Sequence, residues 1–368
     1  MSYIDIGKRR IGSGQATYII AEISANHNQS YDEAIRLIHA AKGAGADAVK
    51  LQTYTPDTIT LDCKSDLFCI KNGSLWEGRC LYDLYGEAYT PWEWHAGLFE
   101  VAHKAGLDIF STSFDPSAVE FLESLHVPVH KIASFEIVDI PLIEKIAATC
   151  KPLIISTGMA TLGEIEEAVG AARAAGAKEI ALLKCTSAYP ASPEEMNLRT
   201  IPHLEEAFGV PVGLSDHTLG IEVPVAAVAL GSCIIEKHFT LDRSVKGPDS
   251  AFSLEPQEFK HMVDAIRIAE KAMGHVHYGM SEKEAKSRVF RKSLFVVKDV
   301  KAGEIFTKDN IKSIRPGYGL HPRHLKDVLG RFAACDIRKG SPFRWVMLIA
   351  IEPQISPTGS NQFSANFC

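Results

Sequence analysis

Two histidines are marked by position as well as by type. His217 closes the run VGLSDH, and His238 sits near the end of the next apolar run, IIEKHFT. Read as consecutive strands, these runs would lie about 4.8 Å apart. Two imidazoles at matched height could then share one divalent cation. No cysteine ligand accompanies them and no set of four protein ligands is visible, which argues against a closed structural zinc site. An open site for Mn²⁺ or Mg²⁺ is expected instead, completed by water and substrate oxygens.

A second chemistry is suggested by lysines and hydroxyls at the ends of other apolar runs. Thr112 lies in DIFSTSF, Lys131 and Ser134 in VHKIAS, Ser156 in LIISTG, Ser187 after IALLKCT, and Ser215 in VGLSDH. An ammonium surrounded by short hydroxyl donors suits a small phosphate. Any one Ser or Thr would ordinarily satisfy a nearby backbone group, so the weight rests on their convergence from five runs. Glu22, Lys50, Gln52, Glu236 and Lys237 add further charged and polar groups at run ends.

Such residues converge only if the runs are strands of one sheet opening at a common end. From Tyr18 to Gly274 the chain alternates short apolar runs with longer segments of helical period, and eight runs can be counted. In LGEIEEAVGAARAAG, Leu162, Ile165, Val169 and Ala172 share one helical face. Helical segments stop at AGA, KAGL and AAGA just before the next run, where glycine can adopt the left-handed conformation. Eight β/α units predict an α/β fold of the (β/α)8 TIM-barrel type, whose catalytic groups lie at the C-terminal strand ends. A doubly wound open sheet is the alternative. It is disfavoured by the count and because GSGQAT at 12–17 precedes its strand and lacks the third glycine of a dinucleotide fingerprint.

The expected division is a catalytic barrel at 1–275, a linker at 276–289, a small strand-and-turn module at 290–350 and a disordered polar tail at 351–368. The small module should hold little core of its own. Residues 55–89 form a long connection after the second strand, with Trp76, Arg79, Tyr82 and Tyr85 interleaved. Loops on that side of a barrel face the site, so this segment is expected to act as a specificity lid.

The chain has 368 residues, 39 basic and 45 acidic, for a net charge of −6, which disfavours nucleic acid as a partner. Eight cysteines without a CxxC pair read as scattered reduced thiols. No apolar run reaches membrane-spanning length and the start lacks a signal-peptide core, so a cytoplasmic protein with no membrane partner is expected.

The segments AEISANHNQS, DAVKLQTY, FSTSFD, HKIAS, IISTGMA, LKCTSAYP, GLSDHTLG, EKHFTLDRSVKGPDSAFS and IRPGYG occur in this order. Together they resemble the bacterial N-acetylneuraminate (sialic acid) synthase family over about residues 15–348. The C-terminal segment resembles the SAF, or antifreeze-like, domain that follows the barrel there. The long loop GSLWEGRCLYDLYGEAYTPWEWH is similar to the pseudaminic acid synthase branch. So is Phe135, which stands where sialic acid synthases carry Gly. Ser187 also departs from the Asn usual in neuraminate synthases.

The resemblance implies condensation of phosphoenolpyruvate with an acetamido sugar. It implies a metal, Mn²⁺ foremost with Mg²⁺ or Co²⁺ as alternatives, held by His217 and His238. Lys131, Thr112, Ser134, Ser156, Ser187 and Ser215 would surround the phosphate, with Lys50 and Gln52 near the reacting carbons. Glu22 would act as general base beside the aldehyde. Asp249 and Tyr189 would hold sugar hydroxyls, and Arg315 would reach the N-acetyl group from the partner subunit of a domain-swapped homodimer. The competing readings are an N-acetylneuraminate or legionaminic acid synthase, a keto-deoxy sugar-phosphate synthase, and a non-enzymatic carbohydrate- or ice-binding protein.

Overall fold

Runs rich in Ile, Val and Leu with no polar alternation are what strands buried on both faces require, and all eight runs are strands. The computed structural model describes residues 2–71, 73 and 75–350. The tail expected to be disordered at 351–368, with Cys368, lies outside them. In chain order the strands are β1 Tyr3–Ile6, β2 Arg9–Gly12, β3 Tyr18–Glu22, β4 Ala48–Thr53, β5 Asp108–Ser113 and β6 His130–Ile132. They continue with β7 Leu153–Ser156, β8 Ile180–Cys185, β9 Val212–Asp216, β10 Ile234–His238, β11 Ser293–Val296 and β12 Ile311–Ile314. Strands β3 to β10 close into a parallel barrel in sequence order, with β10 pairing β3. The chain divides into two compact units at Gly274 and His275.

Helices between the strands bury their apolar stripes on the barrel. In Tyr31–Gly43 these are Ala34, Leu37, Ile38 and Ala41, at i, i+3, i+4, i+7 spacing, and Ser30 caps the helix by accepting from the Glu33 N–H at 3.3 Å. Thr161 and Glu164 form a reciprocal capping box at the start of Leu162–Ala174. Gly106 and Gly176 end their helices at φ +70° and +111°, where a side chain would be strained.

One element has no counterpart in the sequence reading. β1 and β2 form an antiparallel hairpin ahead of the barrel, turning at Gly7 with φ +58°. Ile4, Ile6 and Ile11 are fully buried in the barrel core cluster. The hairpin lies at the N-terminal strand ends: Asp5 N–H donates to Glu179 just before β8 at 2.8 Å, and Arg9 pairs with Asp47 just before β4 at 2.5 Å. It plugs the end opposite the candidate site.

Among its described residues, the connection between β4 and the helix Trp92–Lys104 holds the α-helices Pro56–Ile59 and Leu81–Ala88. The second unit pairs β11 with β12 antiparallel. Leu294, Val296, Val300, Phe306, Ile311, Val328 and Phe343 form a buried core of its own, richer than its length suggests. The segment expected as a plain linker, 276–289, contains the helix Glu282–Ser287, capped by Ser281.

Candidate active site

The register of the barrel brings charged strand ends to one level. Glu22 on β3 is the pairing partner of Lys50 on β4 and of His238 on β10. Thr112 on β5 pairs with Gln52 on one side and with Lys131 on the other. In the lumen Lys50 forms an ion pair with Glu22 and donates to Thr112 Oγ1 at 3.0 Å. Glu236 Oε1 lies 3.8 Å from the ammonium of Lys50 and 3.8 Å from that of Lys131. Lys131 donates to Ser156 Oγ at 2.6 Å, and Ser215 Oγ donates to Glu236 at 3.0 Å. Two ammoniums and two carboxylates, all buried, are thus tied together by three hydroxyls.

Burial without water penalises each charge, and the neighbours decide which charges survive. Burial pushes the Glu22 carboxyl up to about 7, Lys50 offsetting only part of this. Glu236 feels the same burial, but Lys131 and Lys50 outweigh it and hold it below the usual carboxylate range. Burial lowers Lys131, and Glu236 returns part of the loss. Glu236 is the main anion supporting the charge of Lys131, and it reinforces Glu22 in supporting that of Lys50.

Beside this cluster the loop after β7 contributes a backbone donor. Gly158 N–H donates to Ser134 Oγ at 3.1 Å. A Cβ on Gly158 would stand 2.6 Å from Ser134 Oγ and would also collide with Ser187 Oγ. Glycine is therefore required for the two hydroxyls to meet there. With Lys131 and Ser156 next to them, these groups form a cradle of short donors suited to a phosphate.

The two histidines face each other as their strands predict, with ring centroids 5.3 Å apart. His217 Nδ1 is anchored 3.0 Å from the Thr186 carbonyl and 3.9 Å from Cys185 Sγ. His238 is buried, its Nδ1 has no hydrogen-bond partner, and burial with the nearby His217 and lysine charges keeps it neutral, well below the usual histidine value. A neutral imidazole with an unpartnered nitrogen is the form that binds a metal. Among the described residues no group of three or more His, Cys, Asp or Glu side chains forms a closed cage. Burial lowers His217, but Cys185 outweighs it and raises that ring above the usual histidine value, so a cation would displace a proton there. With that proton gone, two ring nitrogens in a site with room for water and substrate oxygens fit an open site for a divalent ion.

Above the histidines, Tyr189 stacks obliquely on His217 at 4.3 Å and meets Trp76 of the long connection at 5.6 Å. Asp249 accepts from Ser24 Oγ. Gln52, Tyr189, His238 and Asp249 line one cavity of about 470 Å³ together with Glu136, Trp76 and Phe135. Burial raises Glu136 to about 7. Arg315 is exposed and belongs to the second unit, next to β12. Lys237 and Asp216 pair with each other, fully buried. Strand alternation turns them away from the lumen that Glu236 and Ser215 face, so they brace the wall.

A family model, the NeuB family, matches residues 37–278, and a SAF domain model matches 291–349. The pseudaminic acid synthase of Helicobacter pylori is 50% identical over 329 residues, which is 89% of this chain and 96% of that protein. The chain belongs to the NeuB family. The N,N'-diacetyllegionaminic acid synthase of Legionella pneumophila is 38% identical, over 91% of this chain and 95% of that protein. Among solved structures, the N-acetylneuraminic acid synthetase of Leptospira borgpetersenii superposes with a TM-score of 0.69 at 33% identity, covering 78% of this chain and 95% of that one.

For this NeuB-family barrel the structure gathers Glu22, Lys50, Gln52, Thr112, Lys131, Ser156, Ser215, His217 and His238 at one end, with Ser134, Ser187, Tyr189 and Asp249 on the loops around them. Three contributors were not singled out from the sequence. Glu236 was one strand-end charge among many, and only its position between two lysines distinguishes it. Gly158 was visible in the motif IISTGMA, but nothing in a string of letters shows two hydroxyls meeting where its side chain would be. Cys185, one of eight cysteines without a pairing motif, packs against His217.

Proposed function

We propose that this protein condenses phosphoenolpyruvate with 2,4-diacetamido-2,4,6-trideoxy-altrose to give pseudaminic acid and phosphate. The observation that carries a condensing activity is the juxtaposition, in one barrel mouth, of a lysine–hydroxyl cradle and two facing imidazoles. The fall in identity from the pseudaminic to the legionaminic acid synthase supports the choice of sugar.

In this reading Lys131, Thr112, Ser134, Ser156, Ser187 and Ser215 hold the phosphate of phosphoenolpyruvate, and their fixed geometry keeps its carbon 3 aimed at the sugar. Lys50 and Gln52 flank the reacting carbons. Tyr189 and Asp249 orient the sugar hydroxyls. His217 and His238 would hold a divalent cation, Mn²⁺ foremost, which when bound polarises the sugar aldehyde as a Lewis acid. Glu22, poised near 7, can hold or release a proton beside that aldehyde at neutral pH. Once the carbon–carbon bond forms, water adds at carbon 2, and the cradle retains the phosphate until the C–O bond breaks. Arg315 of the second unit contacts the N-acetyl group, and that unit comes from the partner subunit of a homodimer.

The seven described cysteines are all free thiols, which suits a reducing cytoplasm. Among the described residues no helix is long and apolar enough to cross a membrane. A coupled phosphate-release assay with Mn²⁺, phosphoenolpyruvate and three sugars tests the reading: the diacetamido-trideoxy altrose, the corresponding diacetamido hexose of the legionaminic series, and N-acetylmannosamine. Fastest release with the first is expected. Release with either of the others alone would reassign the substrate, and release with none would overturn the function.

A further inference from the structure

The cavity over the histidines has a polar floor and a largely apolar roof. Its floor is made by strand ends and adjacent loops, with Gln52, His238, Tyr189 and Asp249 exposing hydrogen-bonding groups. The opposite side is lined mostly by apolar groups, Ile59, Ile70, Trp76 and Leu84 of the long connection, Phe114 after β5 and Phe135 after β6, with Tyr85 and Glu136 adding polar atoms between them. The indole N–H of Trp76 is committed to the Pro248 carbonyl at 3.0 Å, so Trp76 offers the cavity its ring face. Phe135 is 56% exposed although it is a large apolar side chain beside the site. An aromatic ring left open to solvent at the rim of a cavity is a natural contact for an apolar group on a ligand.

A six-carbon sugar whose aldehyde lies beside His238 and whose hydroxyls meet Tyr189 and Asp249 must direct its far end toward this roof. We propose that Trp76 and Phe135 are specificity-determining residues that accept the methyl groups of a deoxy, doubly N-acetylated sugar. A sugar carrying a hydroxyl against either of these two rings is disfavoured because the rings give it no full hydrogen-bond partner, and a hydroxyl buried there without one is penalised. The inference rests on the condensing activity proposed above and names the residues that choose its sugar. Discrimination of this kind is worth roughly tenfold or more per methyl group.

The test is steady-state phosphate release by the full-length protein with the diacetamido-trideoxy altrose and with N-acetylmannosamine. Wild type is compared with Phe135→Gly, Phe135→Leu and Trp76→Ala, each checked for native circular dichroism. Phe135→Gly and Trp76→Ala should lower the kcat/KM ratio of the deoxy sugar over N-acetylmannosamine about tenfold or more, with the KM for phosphoenolpyruvate nearly unchanged. Phe135→Leu, still apolar, should keep most of the preference. Ratios equal to wild type in both Phe135→Gly and Trp76→Ala, including equal losses toward the two sugars, would overturn the inference while leaving the activity standing. A wild-type protein inactive with both sugars would instead overturn the activity, and the inference with it.

Discussion

Lys131 on β6 and Glu236 on β10 belong to strands on opposite sides of the barrel, yet their charged atoms lie 3.8 Å apart. Glu236 is equally far from Lys50, so one carboxylate spans the lumen and serves two ammoniums. Replacing it by a neutral amide would leave two buried positive charges with Glu22 as the nearest carboxylate among the described residues. Breaking buried ion pairs from one side costs about 3–5 kcal/mol. Glu236→Gln should therefore reduce the unfolding free energy by about 3 kcal/mol in urea titrations, and the KM for phosphoenolpyruvate should rise as Lys131 loses charge.

The histidine pair predicts a separation of folding from turnover. Both rings sit at the open end of the barrel, and the core of Ile, Val and Leu lies below them. His217→Ala and His238→Ala should each retain a cooperative melt but lose metal-dependent phosphate release and binding of Mn²⁺ by calorimetry. Full activity of either variant after treatment with EDTA would remove the metal from the assignment.

Gly158 predicts a defect confined to the phosphate cradle. In Gly158→Ala the new methyl group must displace Ser134 Oγ and Ser187 Oγ. Loss of about one charge-assisted hydrogen bond corresponds to about a tenfold rise in KM for phosphoenolpyruvate. The KM for the sugar should stay near its wild-type value, and Ser134→Ala should reproduce the same pattern.

Glu136 predicts a pH dependence of stability. Burial raises its carboxyl from an ordinary 4.5 to about 7. Between those values the unfolded chain releases the proton while the folded chain keeps it. The contribution is fully present below about pH 4.5 and is lost as pH rises toward 7. Glu136→Gln, neutral at every pH, should flatten this part of the curve by on the order of 2 kcal/mol, measured by urea denaturation at pH 5 and pH 7.5. Equal slopes in both proteins would show that Glu136 ionises normally.

Arg315 is exposed and carried by the second unit, so its loss should leave the barrel's stability untouched. Arg315→Ala should lower kcat/KM for the sugar by about a hundredfold without changing the thermal midpoint, read by phosphate release and scanning calorimetry. Full activity would show that the second unit has no part in the chemistry.

The barrel was legible because its signals are local. Apolar runs of four to six residues, helical stripes such as Ala34, Leu37, Ile38 and Ala41, and glycine stops at Gly106 and Gly176 depend on residues near each other in the chain. Most strand-end groups could be named for the same reason: in a (β/α)8 fold, position at a strand end already implies position at the mouth. The N-terminal hairpin was missed because four-residue strands ahead of the first β/α unit carry too little pattern, and Ile4, Ile6 and Ile11 become core only when a barrel floor is there to receive them.

What the sequence by itself determined is the repeating β/α pattern and the set of side chains delivered to one end. Only the tertiary structure decided how those side chains pair. Glu22 meets Lys50 and stands level with His238 because the strand register aligns them. Lys131 reaches Glu236 because the barrel closes, bringing together residues more than a hundred positions apart. Lys237 and Asp216, equally charged and equally placed in their motifs, bind each other in the wall because strand alternation turns them outward. Register, closure and the side of the sheet are properties of paired strands, and no single strand contains them.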